Sequence, residues 1–293
     1  MTMRETKKDI IVYYHADCMD GAGAAWAARQ KFGDAAEYAP VNYNYKSEDL
    51  FCVRGKEVYV LDFSFPRTVL EIWIKQAKSL LVLDHHASAK DNLTGLPYAV
   101  FDMNKSGAMM AWEGFHPGTE APMVIKHIQD RDLWKFELPG TRELSAYMHT
   151  RSASMDTVGF VYLNERAGEK AMGVLYGLGE AILDHIQAQV TEATSRAFKA
   201  WLRGTEVLCT TCCSDIASEV GSALAKLSPS KIGVIVSLSH RGAGLSIRSD
   251  GGTGARDLAE KCGGGGHGPA AGGYLNREEF FELMHTATPF TPA

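Results

Sequence analysis

The sequence predicts an α/β protein: an N-terminal, largely parallel sheet flanked by helices, followed by a smaller C-terminal α/β domain. Three observations predict it. Short, wholly apolar runs alternate with longer segments of helical texture, acid- and imidazole-rich clusters follow directly on the apolar runs, and the pattern restarts after residue 204. Strands covered on both faces read as continuous apolar runs, and their alternation with helices marks a parallel sheet.

The first strand is expected at residues 10–14, and an Ala-rich helix over 22–32 follows the polar turn HADCMDG. Strand 57–63, helix 68–78 and strand 79–83 repeat the unit, and 98–101 reads as a further short strand. Helices are expected at 108–115, 123–134 and 143–150. Residues 169–203 lack Pro and are rich in Ala, Leu, Glu and Gln, which predicts a long helix with a break near Gly177 or Gly179. Strand 206–210, helix 216–227, strands 231–238 and 244–248 and helix 253–261 make the second α/β pattern. It closes on CGGGGHGPAAGGY and a tail, TATPFTPA, expected to fray.

A length of 293 residues exceeds the ~100–200 of a typical domain. The division expected is a catalytic domain over 1–185, a helical linker over 186–203 and a substrate-binding domain over 204–293. At 45% hydrophobic and 22% charged residues the chain can bury a sizeable core, which excludes a disordered or fibrous protein. The net charge of −5 means that a polyanion is drawn in only by a local cationic site or a bound metal, so stable binding of duplex nucleic acid is not expected. No signal-peptide layout and no membrane-length apolar run is present, which predicts a cytoplasmic location and no membrane partner. The six cysteines show no disulfide framework, and Cys209-x-x-Cys212 lacks a second ligand pair, so it reads as packing at a strand end.

The acids carry the chemistry. His15, Asp17 and Asp20 follow the first strand, Asp62 the second, Asp84, His85 and His86 the third, and Asp102 the fourth. The carboxyl ends of parallel strands form one edge, where ligands bind. Asp130 and Asp132, in HIQDRDLW, can reach that edge from a helix end. Carboxylates ~4 Å apart repel by several kcal/mol at an effective dielectric of ~20. Divalent cations remove that cost, and mixed imidazole and carboxylate ligands suit Mn²⁺, Co²⁺ or Mg²⁺. Two such ions could activate a water and stabilise the leaving oxygen of a phosphate ester. The alternative for any one of these acids is an ordinary helix cap. Ser106, ahead of Gly107 and Ala108, offers either an N-cap or a hydroxyl and N–H groups for a phosphate oxygen.

At this point the chain resembles the DHH phosphoesterases, which include RecJ-like nucleases, oligoribonucleases, cyclic-dinucleotide phosphodiesterases and pyrophosphatases. LLVLDHHAS carries the Asp-His-His signature, YYHADCMDGAGAAW the first motif and VYVLDFSF the second. SGAMMAWE and IQDRDLW occupy the fourth-motif region, and GGGGHGPAAGGY resembles the signature of the DHH-associated C-terminal domain. The resemblance implies metal ligation by His15, Asp20, Asp62 and His85, with Asp62 between two metals. Asp84 would orient this shell and His86 would contact the scissile phosphate. The family spacing of two acids before the Gly falls here on Cys18 and Asp20, so either Cys18 replaces a carboxylate or Asp17 reaches in. Of the pair in the fourth motif, Asp130 is favoured as ligand and Asp132 as support.

The run Gly263–Gly266 followed by His267 permits close backbone approach and positive φ. In the resemblance, Gly264, Gly265, Gly266 and His267 grip the substrate, with Arg248 as the cationic partner. The function expected is hydrolysis of short single-stranded oligonucleotides or a related small nucleotide by metal-activated water, across a cleft between the domains. Two divalent ions are expected, Mn²⁺ first, with Mg²⁺ or Co²⁺ as alternatives; a homo-oligomer is compatible with the sequence. The other readings are a nucleotide phosphatase, a cyclic-dinucleotide phosphodiesterase or, from a different class, a catalytically impaired nucleotide-binding module with Cys18 disabling one metal position.

Overall fold

The structure, a computed structural model, describes residues 3–266 and 268–290, so His267 and the last three residues of the tail lie outside the described residues. The chain divides into two compact units, 1–183 and 184–293.

The first unit runs β1 (Ile10–His15), α1 (Met19–Phe32), β2 (Ala36–Val41), β3 (Glu57–Leu61), α2 (Arg67–Gln76), β4 (Ser79–Asp84), α3 (Ala87–Leu93), β5 (Ala99–Phe101), α4 (Gly107–Phe115), α5 (Met123–Asp132), α6 (Thr141–His149) and α7 (Met155–Ala167). Its sheet is wholly parallel in the order β2-β1-β3-β4-β5. Strand alternation sends the two halves of β1 to opposite layers. Val12 and Tyr14 join Ala22, Ala25, Met109 and Ile125 on the α1/α4/α5 side. Ile11 and Tyr13 join Phe63, Phe65 and Trp73 on the α2 side. The buried Tyr13 hydroxyl accepts from the Phe51 amide at 2.8 Å and donates to its carbonyl at 3.0 Å, so this phenol is paired on both sides.

Three elements of this unit differ from the pattern reading. Strand β2 (AEYAPV) was not expected, because it mixes polar residues with Pro40; it is an edge strand, where a missing N–H is tolerated. The short α3 buries only Leu93 and so carries no stripe to detect. Helix α7 was also not expected; it buries Thr157, Val158 and Val161.

Helix α8 (Glu169–Ser195) runs unbroken through Gly177 and Gly179, correcting the expected break. Gly179 is a contact point instead: a Cβ there would come 1.9 Å from the Glu143 carbonyl oxygen. The helix also stops before residue 203, because β6 (Phe198–Leu202) is a strand of the second sheet. The expected linker 186–203 is therefore not a separate helical segment.

The second unit continues with β7 (Thr205–Thr210), α9 (Ala217–Leu227), β8 (Ile232–Ser239), β9 (Gly242–Ser249), α10 (Gly254–Glu260), β10 (Gly265–Gly266), β11 (Ala270–Asn276), α11 (Arg277–His285) and β12 (Thr288–Pro289). Its sheet has the order β10-β11-β9-β8-β7-β6-β12, antiparallel except between β7 and β8. Cys209 is fully buried in one of its cores, and all six cysteines are free thiols. Part of the tail expected to fray, Thr288–Pro289, pairs with β6. Among the described residues no helix is long and apolar enough to cross a membrane.

Candidate metal centre

The chain order reverses at β1, with β2 on one side and β3 on the other, and a crevice opens outside the carboxyl ends of strands at such a point. His15 ends β1, Asp62 follows β3, and Asp84, His85 and His86 close β4. Asp62 has φ +54°, a left-handed conformation that Asp tolerates better than bulkier residues and that turns the chain sharply at the strand end. Asp102, after the outermost strand β5, stays outside this group and caps the Asn104 amide at 2.9 Å.

Among the described residues, three sets of potential ligand atoms each lie within 4.8 Å of one another: His15, Cys18 and Asp62; Asp62, His85 and His86; and Asp20, His85 and Asp132. Asp62 and His85 each belong to two sets. His85 Nε2 lies 3.2 Å from Asp62 Oδ1 and 3.6 Å from both Asp20 Oδ2 and Asp132 Oδ2. His15 Nδ1 is 3.7 Å from Asp62 Oδ2, and Cys18 Sγ donates to the same oxygen at 3.6 Å.

Charges this close perturb one another. Burial, and then Asp62 and Asp132, hold the Asp20 carboxyl well above the usual range. Burial acts the same way on Asp62, but the neighbouring His15 and His85 imidazoles and the charge of His86 outweigh it and leave that carboxyl well below its ordinary value. Burial opposes the charged form of His85, yet Asp62, Asp20 and Asp132 lift it to about 10. Asp132 is raised to about 6, by burial first, with His85 opposing and Asp62 adding to it. Burial, with Asp62, Asp20 and Asp132, keeps the Cys18 thiol protonated.

A divalent cation fits this donor set. His15 Nδ1 and Asp62 Oδ1 are buried atoms with no hydrogen-bond partner, and three carboxylates share the site with only imidazoles as counter-charges. Mixed O and N donors suit Mn²⁺, Mg²⁺ or Co²⁺, and the thiol of Cys18 softens one end.

Around the cluster the chain is positioned closely. Asp20, in the first turn of α1, accepts the Gly107 amide at 2.6 Å and the Ala108 amide at 2.9 Å. The anion at the N-terminus of α4 is thus a side chain of the protein. This corrects the reading of Ser106 as a phosphate-facing hydroxyl: Ser106 is fully buried and caps α4, accepting from the Met109 amide at 3.3 Å. Asp84 is fully buried and joins none of the three sets; it accepts from the amides of His85 (2.7 Å) and His86 (3.2 Å), from His86 Nδ1 (2.6 Å) and from Ser64 Oγ (2.5 Å). Ser64 was not singled out in the sequence, although VYVLDFSF places it two residues after Asp62.

Two favoured site residues fall elsewhere. Asp17 is exposed and joins no set; the Asn42 side-chain amide donates to it at 3.0 Å, and Cys18 enters the cluster in its place. Asp130 turns into the connection after α5, where it accepts from the amides of Glu137 (2.9 Å) and Leu138 (3.0 Å) and from Thr141 Oγ1 (2.6 Å). Asp132, two residues on and across the helix, stands at the cluster instead. The signal was present: Asp130 is three residues beyond His127, on the buried stripe.

In the second unit, Arg248 on β9 is mostly buried, which lowers its pKa, and it donates to the Ile247 carbonyl and to Ser218 Oγ, both at 2.9 Å. The glycine run, expected as an open loop, is in part a strand, because Gly265–Gly266 form the edge strand β10 against β11. A Cβ on Gly264 would come 1.8 Å from the Gly272 carbonyl oxygen.

Residues 208–288 match the family model of the DHHA1 domain. The second unit thus carries a DHHA1 domain. The chain is 31% identical over 177 residues to the uncharacterized protein R106 of Acanthamoeba polyphaga mimivirus, a match that takes in 55% of this chain and 42% of that protein. The chain thus spans less than half the length of the curated relative. Among solved structures it shares its fold with a pGpG-specific phosphodiesterase, PggH, from Vibrio cholerae, at a TM-score of 0.52 and 13% identity over 95% of this chain and 97% of that one. RecJ from Thermus thermophilus, in complex with Mn²⁺, gives a TM-score of 0.46 at 14% identity over 94% of this chain and 51% of that one.

Proposed function

We propose that this chain is a metal-dependent phosphodiesterase that hydrolyses short oligonucleotides or a related small nucleotide. One observation supports it above the others: Asp62 stands between two sets of ligand atoms, as a carboxylate shared by two cations would. His15, Cys18, Asp20, Asp62, His85 and Asp132 would hold the ions. Divalent cations there supply an activated water and neutralise charge building on the phosphate oxygens.

The protein's own groups do the rest. Asp84 holds Nδ1 of His86 and, against burial, raises its pKa, so Nε2 can present a proton to a phosphate oxygen. Gly107 and Ala108 hold Asp20 by two amides, so it needs no reorganisation. Arg248, with Ser218 fixing one side of its fork, would be the substrate-gripping cation, and Gly264, Gly265, Gly266 and His267 of the glycine motif would share that role.

The deciding experiment offers RNA and DNA of about two to ten nucleotides, cyclic dinucleotides, bisphosphorylated adenosine and pyrophosphate, each with Mn²⁺, Mg²⁺ or chelator. Metal-dependent release of mononucleotides from the short oligomers is expected. Tight nucleotide binding without turnover of any of these would replace this reading by the non-catalytic one, for which the Cys18 thiol beside Asp62 is the favouring feature.

A further inference from the structure

One large aromatic side chain beside the cluster is neither buried nor accounted for by the metal centre. Tyr43, in the loop after β2, is 62% exposed. Its ring rests on Phe63 (centroids 4.8 Å apart, 37° between planes) and meets the edge of His15 at 5.6 Å and 69°. Phe63 is fully buried, so Tyr43 is the outermost ring of a stack rooted in the core. Burying such a ring would stabilise the fold, yet it stands largely in solvent next to a potential ligand.

We propose that Tyr43 is the floor of a nucleobase subsite: the base of the nucleotide whose phosphate lies at the acid–imidazole cluster stacks on the exposed face of this ring. The inference rests on the phosphodiesterase reading for the identity of the phosphate, while the stacking stands on its own geometry. A ring held from behind by Phe63 and His15 is pre-oriented, so little side-chain freedom is lost when a base lands on it. Stacking on an aromatic face tolerates every base, which suits a substrate defined by length rather than sequence. Tyr43 is thereby a positioning residue for substrate; it takes no part in bond cleavage.

The test uses the full chain, Mg²⁺ and 2-aminopurine riboside 5′-monophosphate, whose fluorescence is quenched when its base stacks. Tyr43→Phe keeps the ring, and Tyr43→Leu keeps the apolar cover over Phe63 without a π face. Wild type and Tyr43→Phe should bind with quenching, and Tyr43→Leu should bind about tenfold more weakly and without it, within the range for losing a stacking aromatic. Equal quenching by all three proteins, or none by the wild type, overturns the proposal. Tyr43-dependent quenching in a protein that hydrolyses nothing in the substrate panel would leave the subsite standing and sink only the phosphodiesterase reading.

Discussion

Gly107 and Asp62 touch so closely that a Cβ on Gly107 would sit 2.4 Å from the Cβ of Asp62 and 2.8 Å from one of its carboxylate oxygens. The start of α4 can donate its amides to Asp20 only because residue 107 has no side chain. Gly107→Ala should therefore displace Asp62 and lower hydrolysis by about 100-fold, as misplacement of ~1 Å at a reacting centre does. The chain should still fold, which circular dichroism would show. Activity close to wild type would mean that Asp62 does not need this contact.

Asp130 and Asp132 should separate cleanly by stability. Asp130→Ala leaves two amides and the Thr141 hydroxyl without their acceptor and should cost about 2–3 kcal/mol in chemical denaturation. Asp132→Ala should change stability without metal little and weaken Mn²⁺ binding in a calorimetric titration. The reverse pattern would restore Asp130 to the metal centre.

Cation binding should be visible as stabilisation. Mn²⁺ at about 100 times its dissociation constant adds ~2.7 kcal/mol, a rise in Tm of about 5–10 °C for a unit of this size. Asp62→Asn should abolish the rise, because it removes charge from the shared position. A Tm equally responsive in both proteins would place the ions elsewhere.

His127 gives a pH dependence away from the metal centre. Thr141 spends its proton on Asp130, so His127 Nδ1 donates to Thr141 Oγ1 at 2.7 Å and Nε2 accepts from the Tyr176 hydroxyl at 3.2 Å. Burial lowers its pKa, against the pull of Asp130, Glu165 and Glu143. With the folded value below the unfolded ~6.5, the stability contributed by neutral His127 is complete above ~6.5 and is lost as pH falls through the folded value. Denaturation at successive pH values should show His127→Gln falling less steeply than wild type below ~6.5. Parallel slopes would rule this group out.

The glycines of α8 should differ in sign. Gly177 faces open space, so Gly177→Ala should stabilise by about 0.5–1 kcal/mol, whereas Gly179→Ala must push the helix off the Glu143 carbonyl and should destabilise. Equal effects in thermal melts would contradict the packing described here.

The local pattern along the chain was sufficient for a parallel sheet and for His15, Asp62 and His85 at or just after strand ends, with Asp20 opening the helix that follows, because buried strands must be apolar and charged groups must wait for the strand to finish. It failed at β2, whose Pro40 and polar residues suit an edge, and at α3, which buries one side chain. Neither element has a pattern, since neither has a face that must be hidden.

Residue type and order alone therefore settled the two-part α/β chain and the placing of acids and imidazoles after its strands. Which of Asp130 and Asp132 faces the cluster, whether Asp17 or Cys18 enters it, that Ser106 caps a helix while Asp20 takes the next two amides, and that Tyr43 stands beside His15 were decided by the tertiary structure. Each of these depends on the direction of one side chain, and that direction is set by helix rotation and by partners distant in sequence, such as Thr141 for Asp130 and Gly107 for Asp20.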